Sequence, residues 1–225
     1  MVSLTDFFHR SIHIYIAFEG VIGVGKTTLA RLLQPAFESE LLLEVFEENP
    51  FLSDFYSDRA RYAFQTQIFF LLSRYRQQRD TVHTALSQGK TLISDYTFTK
   101  DALFARINLK GDELEMYYRV HEALAEKIPT PDLTVYLYAD TDMLMQRITL
   151  RDRTYERSME RAYIAELGEA YEEFFNSQNG PVLRIDTTPY DFVRQPEHLK
   201  LIENRIRESL NMNPYQPRLL NVNGN

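Results

Sequence analysis

The chain has 225 residues, 44% of them hydrophobic, which is enough for one domain with a full core, and it carries a formal net charge of −7. That acidity excludes a nucleic-acid backbone as the main partner, since such a partner needs a basic face, and the absence of cysteine excludes disulfides and thiolate metal sites. His9, His13, His83, His121 and His198 lack metal-ligand spacing and read as surface or packing residues; Asp6 and the lack of a long apolar segment speak against a signal peptide or membrane span, so a cytoplasmic protein is expected.

The first predicted strand, 12–18, is the apolar run Ile12-His13-Ile14-Tyr15-Ile16-Ala17-Phe18. Close behind it comes Gly20-Val21-Ile22-Gly23-Val24-Gly25-Lys26-Thr27, a complete GxxxxGK[ST] loop, and Thr28 continues a helix predicted over 26–37. In that context Gly20, Gly23 and Gly25 let the backbone curl so that several N–H groups face one anion, and the helix start adds partial positive charge. Lys26 then reaches the β/γ-phosphates and the Thr27 hydroxyl ligates Mg²⁺, so the segment implies a nucleoside triphosphate site.

A second strand, 41–46, carries Glu44 and is followed by Glu47-Glu48-Asn49-Pro50. The helix predicted over 59–88 contains Ile68-Phe69-Phe70-Leu71-Leu72, apolar around a whole turn and therefore buried centrally or against another subunit. Strand three, 91–94, ends at Asp95; helices are predicted over 99–107 and 112–127. Strand four, 133–139, ends at Asp140, which precedes the helix 141–150 and reads as its N-cap. A further helix, 158–178, the fifth strand, 182–186, and a helix over 195–210 complete a domain spanning 1–210, with a loose tail at 211–225. Short, nearly continuous apolar strands alternating with helices predict a three-layer αβα fold around a five-stranded parallel sheet.

Parallel sheets bind ligands outside the carboxyl ends of their strands. Glu44 and Asp95 therefore flank the phosphates, one free to accept a proton and one placed to bind Mg²⁺ directly or through water. Cations follow in Arg147, Arg151, Arg153 and Arg157; with a phosphate loop present, this stretch (147–157) reads as a lid that closes over the γ-phosphate.

With these residues in order, the chain resembles the deoxynucleoside kinases that phosphorylate the 5′-hydroxyl, and its bacterial purine branch most nearly. The resemblance runs from about Ile14 to Asp186. It is carried by Glu19 through Thr28, Glu44 through Leu52, Phe55-Tyr56, Phe64-Gln65-Thr66-Gln67 through Ser73-Arg74-Tyr75, Asp95-Tyr96-Thr97 with Asp101, and Arg147 through Arg153 with Glu156. It implies a P-loop kinase using ATP with Mg²⁺, the nucleotide held by the loop from Gly20 to Thr28 and by Arg151 and Arg153. Lys26, Arg147 and Arg151 would stabilise the transferred charge, and Thr27 and Asp95 would serve the metal.

On the acceptor side it implies that Glu44 activates the sugar 5′-hydroxyl, with Glu47 and Glu48 as rivals in a solvated turn. Tyr56 and Glu156 would bind the 3′-hydroxyl, and Gln67, rather than Gln65, would read the base. Arg74 and Asp101 would complete a polar base site, while Phe104 or Phe64 stacks on the base. The family's homodimers, formed through long helices, are expected here too. Two departures stand out: Tyr96 follows the acid where the family has arginine, leaving Arg147 or Arg151 to cover its task, and Asp152 replaces the lid glycine.

An amide such as Gln67 matches the edge of adenine, and of cytosine, better than that of guanine, so deoxyadenosine is the expected favourite, with deoxyguanosine or deoxycytidine weaker. Asp95-Tyr96-Thr97 points instead to the deoxyguanosine branch. A nucleotide-switch GTPase is disfavoured because Asn108-Leu109-Lys110-Gly111-Asp112 scrambles the guanine reader. A thymidylate-type monophosphate kinase needs a further arginine for the acceptor's phosphate, whereas the second strand here offers a carboxylate, Glu44. A non-catalytic ATP-binding subunit is the remaining alternative, and turnover separates it from both kinases.

Overall fold

The computed structural model describes residues 13–178 and 180–213, apart from the side chain of Glu47. Ile12 of the first predicted strand, His9 and the tail beyond 213 lie outside them. In chain order the elements are β1 (Tyr15–Glu19), α1 (Lys26–Phe37), β2 (Glu40–Leu42), α2 (Leu52–Ser57), α3 (Arg59–Ser87), β3 (Leu92–Ser94), α4 (Lys100–Asn108) and α5 (Gly111–Ala125). There follow β4 (Leu133–Tyr138), α6 (Thr141–Arg151), α7 (Arg161–Ser177), β5 (Val182–Asp186) and α8 (Pro196–Ser209).

The strands form one sheet in the order β2-β3-β1-β4-β5, and every neighbouring pair is parallel. β1 lies at its centre and is buried along its whole length. Its side chains divide by the period of two that a strand imposes. Ile16 and Phe18 join the large apolar cluster with Leu29, Leu33 and Val135, whereas Tyr15 and Ala17 join a smaller one with Val82, Ala85 and Tyr96. A strand apolar on both faces needs a helical layer on each, which gives the αβα arrangement expected. Among the described residues, no helix is long and apolar enough to cross a membrane.

The turns after β1 and β3 position the chemistry. Gly20 adopts φ 142°, and a Cβ there would lie 2.1 Å from the Leu137 carbonyl oxygen, so the loop can pass β4 only as glycine. Glu19, buried at the end of β1, accepts from Thr97 N (2.5 Å), Thr97 Oγ1 (2.7 Å) and Tyr171 Oη (3.1 Å), tying the phosphate loop to the turn that leads into α4.

Strand two is shorter than predicted. It ends at Leu42 because the Glu44 N–H donates to the Asp95 side chain (2.8 Å) instead of continuing the ladder, and the chain then turns through a 3₁₀ segment, Phe46–Glu48. The sequence reading missed α2, a helix of 6 residues whose apolar Leu52 and Phe55 span less than two turns. Its entry is fixed by Asn49, which accepts from Phe51 N (3.0 Å) and donates to the Thr66 carbonyl on α3 (3.2 Å). Asn49 is thus a buried staple. Asp140 caps α6 as anticipated, accepting from Met143 N at 2.8 Å.

Candidate active site

Two cavities meet at the start of α1. One is an open groove lined by Gly23, Gly25, Thr28, Arg147 and Arg151 together with the 188–195 segment. The other, more enclosed, is lined by Lys26, Thr27, Glu44, Tyr56, Gln67, Arg74, Asp95, Lys100, Phe104, Arg151, Arg153 and Glu156. Arg151 borders both.

Lys26 donates to the carbonyls of Gly20 (2.5 Å) and Val21 (3.2 Å). Burial, with Lys100 nearby adding like charge, lowers its pKa to about 8. The Thr27 hydroxyl donates to Asp95 Oδ2 at 2.5 Å, so the two residues expected to serve Mg²⁺ stand side by side. A hydroxyl and a carboxylate are hard oxygen donors, and they fit a cation otherwise coordinated by phosphate and water.

Glu44 is held by two cations. Arg74 donates to its Oε1 from Nε (2.8 Å) and from Nη2, and Lys100 Nζ donates to Oε2 at 2.7 Å. Burial pushes the carboxyl up, but Arg74 and Lys100 outweigh it and hold the group well below the usual carboxylate range. Arg74 also pairs with fully buried Asp101 and lies 4.3 Å from the Phe70 ring centroid. Glu48, by contrast, is exposed.

Gln67, Leu71 and Arg74, expected on one face of α3, are all buried, while Gln65 is exposed. Phe104 lines the enclosed cavity and Phe64 does not. Among the described residues, no hydrogen bond fixes the Gln67 amide. Tyr56, on α2, stacks on Tyr155 at 6.3 Å, and burial foremost raises its phenol well above the ordinary value.

The lid residues separate. Arg151 forms a two-pronged pair with Glu156, Nε–Oε2 2.7 Å and Nη2–Oε1 2.5 Å. Arg153, expected on the triphosphate, instead faces the enclosed cavity, 4.1 Å from the Phe46 ring centroid and 3.8 Å from Glu156. Arg147 donates to the carbonyls of Thr187 (2.8 Å) and Val24 (3.3 Å) and to Thr187 Oγ1 (2.9 Å), so it braces the open groove. Asp152 takes the left-handed conformation (φ 46°) that glycine favours, and its exposed carboxylate turns to Arg157 at 2.8 Å.

Tyr96, where arginine was expected, is fully buried in the smaller apolar cluster and donates to Gln77 Oε1 at 2.7 Å. Neither Arg147 nor Arg151 contacts Glu44; Lys100 does. Lys100, Phe70 and Tyr155 are cavity residues that the sequence reading missed. Phe70 had a usable signal, lying between Gln67 and Arg74 at helical spacing. Lys100 and Tyr155 had none, because each is placed by a turn.

A family model for deoxynucleoside kinases matches residues 16–211. The deoxyguanosine kinase of Bacillus subtilis is 34% identical over 199 residues, covering 86% of this chain and 96% of its own. The deoxyadenosine/deoxycytidine kinase of the same organism is 30% identical, covering 88% and 94%. A deoxyadenosine kinase from M. mycoides with bound dATP superposes with a TM-score of 0.75 at 25% identity, over 87% of this chain and 100% of that one. With the family model spanning nearly all of the sheet and its helices, the chain belongs to the deoxynucleoside kinase family, enzymes that transfer a phosphoryl group to deoxynucleosides.

Proposed function

We propose that the open groove takes ATP, that the enclosed cavity takes a purine deoxynucleoside, and that the γ-phosphoryl group passes between them beneath Arg151. The observation that carries this reading is Glu44, a carboxylate held by Arg74 and Lys100 in the enclosed cavity that Lys26 and Thr27 of the phosphate loop also line. As the 5′-oxygen bonds to phosphorus and the bond to ADP breaks, Glu44 accepts the hydroxyl proton. A loose transition state releases that proton late, so a weakly basic carboxylate suffices to orient the nucleophile. Thr27 and Asp95 would hold Mg²⁺, which would supply positive charge against the phosphoryl group in transfer. Lys26 and Arg151 meet the developing negative charge, Arg147 braces the donor groove, and Arg153 serves the lid.

In this reading, Tyr56 and Glu156 engage the 3′-hydroxyl, Gln67 reads the base edge with Arg74 and Asp101 behind it, and Phe104 stacks on the ring. Deoxyadenosine is favoured by the amide. Deoxyguanosine is the second reading, supported by an amide that no hydrogen bond among the described residues pins and by a Bacillus deoxyguanosine kinase 34% identical to this chain. The enzyme would work in the cytoplasm as a homodimer in nucleotide salvage.

A panel of the four deoxynucleosides with ATP and Mg²⁺ tests the proposal; purine turnover should exceed that of thymidine. Glu44→Gln should lower kcat by about 10²–10⁴-fold with little change in acceptor binding, the range for loss of a general base. Equal turnover by that variant would remove Glu44 from the mechanism.

A further inference from the structure

Lys100 opens α4 and is 4% exposed, with its ammonium 2.7 Å from Glu44 Oε2. The same ammonium lies 5.4 Å from the centroid of the Tyr96 ring, itself locked by Gln77 and the surrounding apolar cluster. Its helix is fixed from behind through Thr97, which donates to Glu19 and lies 2.8 Å from Thr99 Oγ1 to Oγ1. Two separate tethers thus aim this one cation at one oxygen of Glu44, while Arg74 takes the other.

We propose that Lys100 is a positioning residue, supplying the cation missing after Asp95 and fixing the Glu44 carboxylate against the acceptor hydroxyl. Tyr96 then exchanges a charged role for a structural one: it forms the platform, and the charge arrives four residues later from the next helix. The proton released by the acceptor hydroxyl goes to Glu44 during transfer. Arg74 alone leaves the carboxylate free to pivot about Oε1, so the second contact sets the direction of Oε2. The inference rests on the role proposed above for Glu44.

The experiment is a kinetic double-mutant cycle on the full-length enzyme with ATP and its best deoxynucleoside, comparing wild type, Lys100→Met, Glu44→Gln and the double variant. Lys100→Met should lose about 10²-fold in kcat, as a misplaced reacting group does, while KM for ATP and for the deoxynucleoside moves by no more than about threefold. Lys100→Arg should restore most of the loss. The double variant should be no slower than Glu44→Gln, because a residue acting through Glu44 has nothing left to position.

A loss expressed in the KM for ATP, or multiplicative losses in the double variant, would overturn the inference and assign Lys100 to the phosphates. Unchanged kcat in Lys100→Met beside an inactive Glu44→Gln would overturn it alone. A wild type that phosphorylates no deoxynucleoside would sink the functional reading and this inference with it. Should Lys100→Met fail to fold, Lys100→Gln, which keeps a donor for Glu44 without the charge, carries the same cycle.

Discussion

Lys26 lies folded onto the loop it belongs to, its ammonium occupied by the Gly20 and Val21 carbonyls. It is the loop's one full positive charge, so Lys26→Ala should reduce transfer by about 10³-fold with circular dichroism unchanged. Near-normal turnover would take the loop out of the mechanism. Gln67 makes the complementary case for specificity. A carboxylate at that position accepts from the N1–H and N2–H₂ of guanine, so Gln67→Glu should shift the kcat/KM ratio toward deoxyguanosine by roughly tenfold or more. An unshifted ratio would mean that the base is read elsewhere. Both residues were legible in the sequence because each sits at a fixed offset within a regular element or motif: Lys26 closes the glycine pattern, and Gln67 lies seven residues before Arg74 on one helix face. Lys100 was not legible, because its place depends on Glu19, Thr97 and Tyr96, which converge only once β1 and β3 pair.

At the scale of elements, the long helices and the central strands could be read because their apolar periods run over many residues. α1 and α3 start where the loop motif and the Asp58 cap place them, the latter accepting from Arg61 N at 3.3 Å. α2 escaped because a helix of 6 residues has too few turns to show a period. It nevertheless carries Tyr56, so its anchoring matters to the acceptor site. Asn49→Ala removes both the bond to the α2 entry and the bond to the α3 carbonyl. It leaves the Thr66 carbonyl without that donor, which should cost about 1–3 kcal/mol of stability and raise KM for the deoxynucleoside more than for ATP. Thermal denaturation and the two KM values check this; an equal rise in both would show that α2 does not report on the acceptor cavity alone. The second strand was overextended for a related reason. Leu41 through Phe46 reads as a β run, but the Asp95 carboxylate takes the Glu44 N–H, and a side chain from a neighbouring strand ends the ladder.

The whole molecule shows where local patterns stop being informative. Ile68 through Leu72 reads as apolar around a full turn, yet only Leu71 is fully buried within the chain, and Leu72 is 44% exposed. α3 packs on α5, where Met116 is 56% exposed, so the paired helices present apolar side chains outward. The homodimer proposed above would pack these helices against those of a second copy across a two-fold axis. The wild type should therefore sediment as a dimer at micromolar concentration. Leu72→Asp with Met116→Asp would bury uncompensated carboxylates in that interface, and should shift the molecule to monomers with the far-ultraviolet spectrum unchanged. Because Gln67 and Arg74 lie on the same helix as Leu72, the monomer should also lose acceptor affinity before it loses ATP affinity. A wild type that sediments as a monomer, or a double variant that remains dimeric, would show that this apolar face serves something other than self-association.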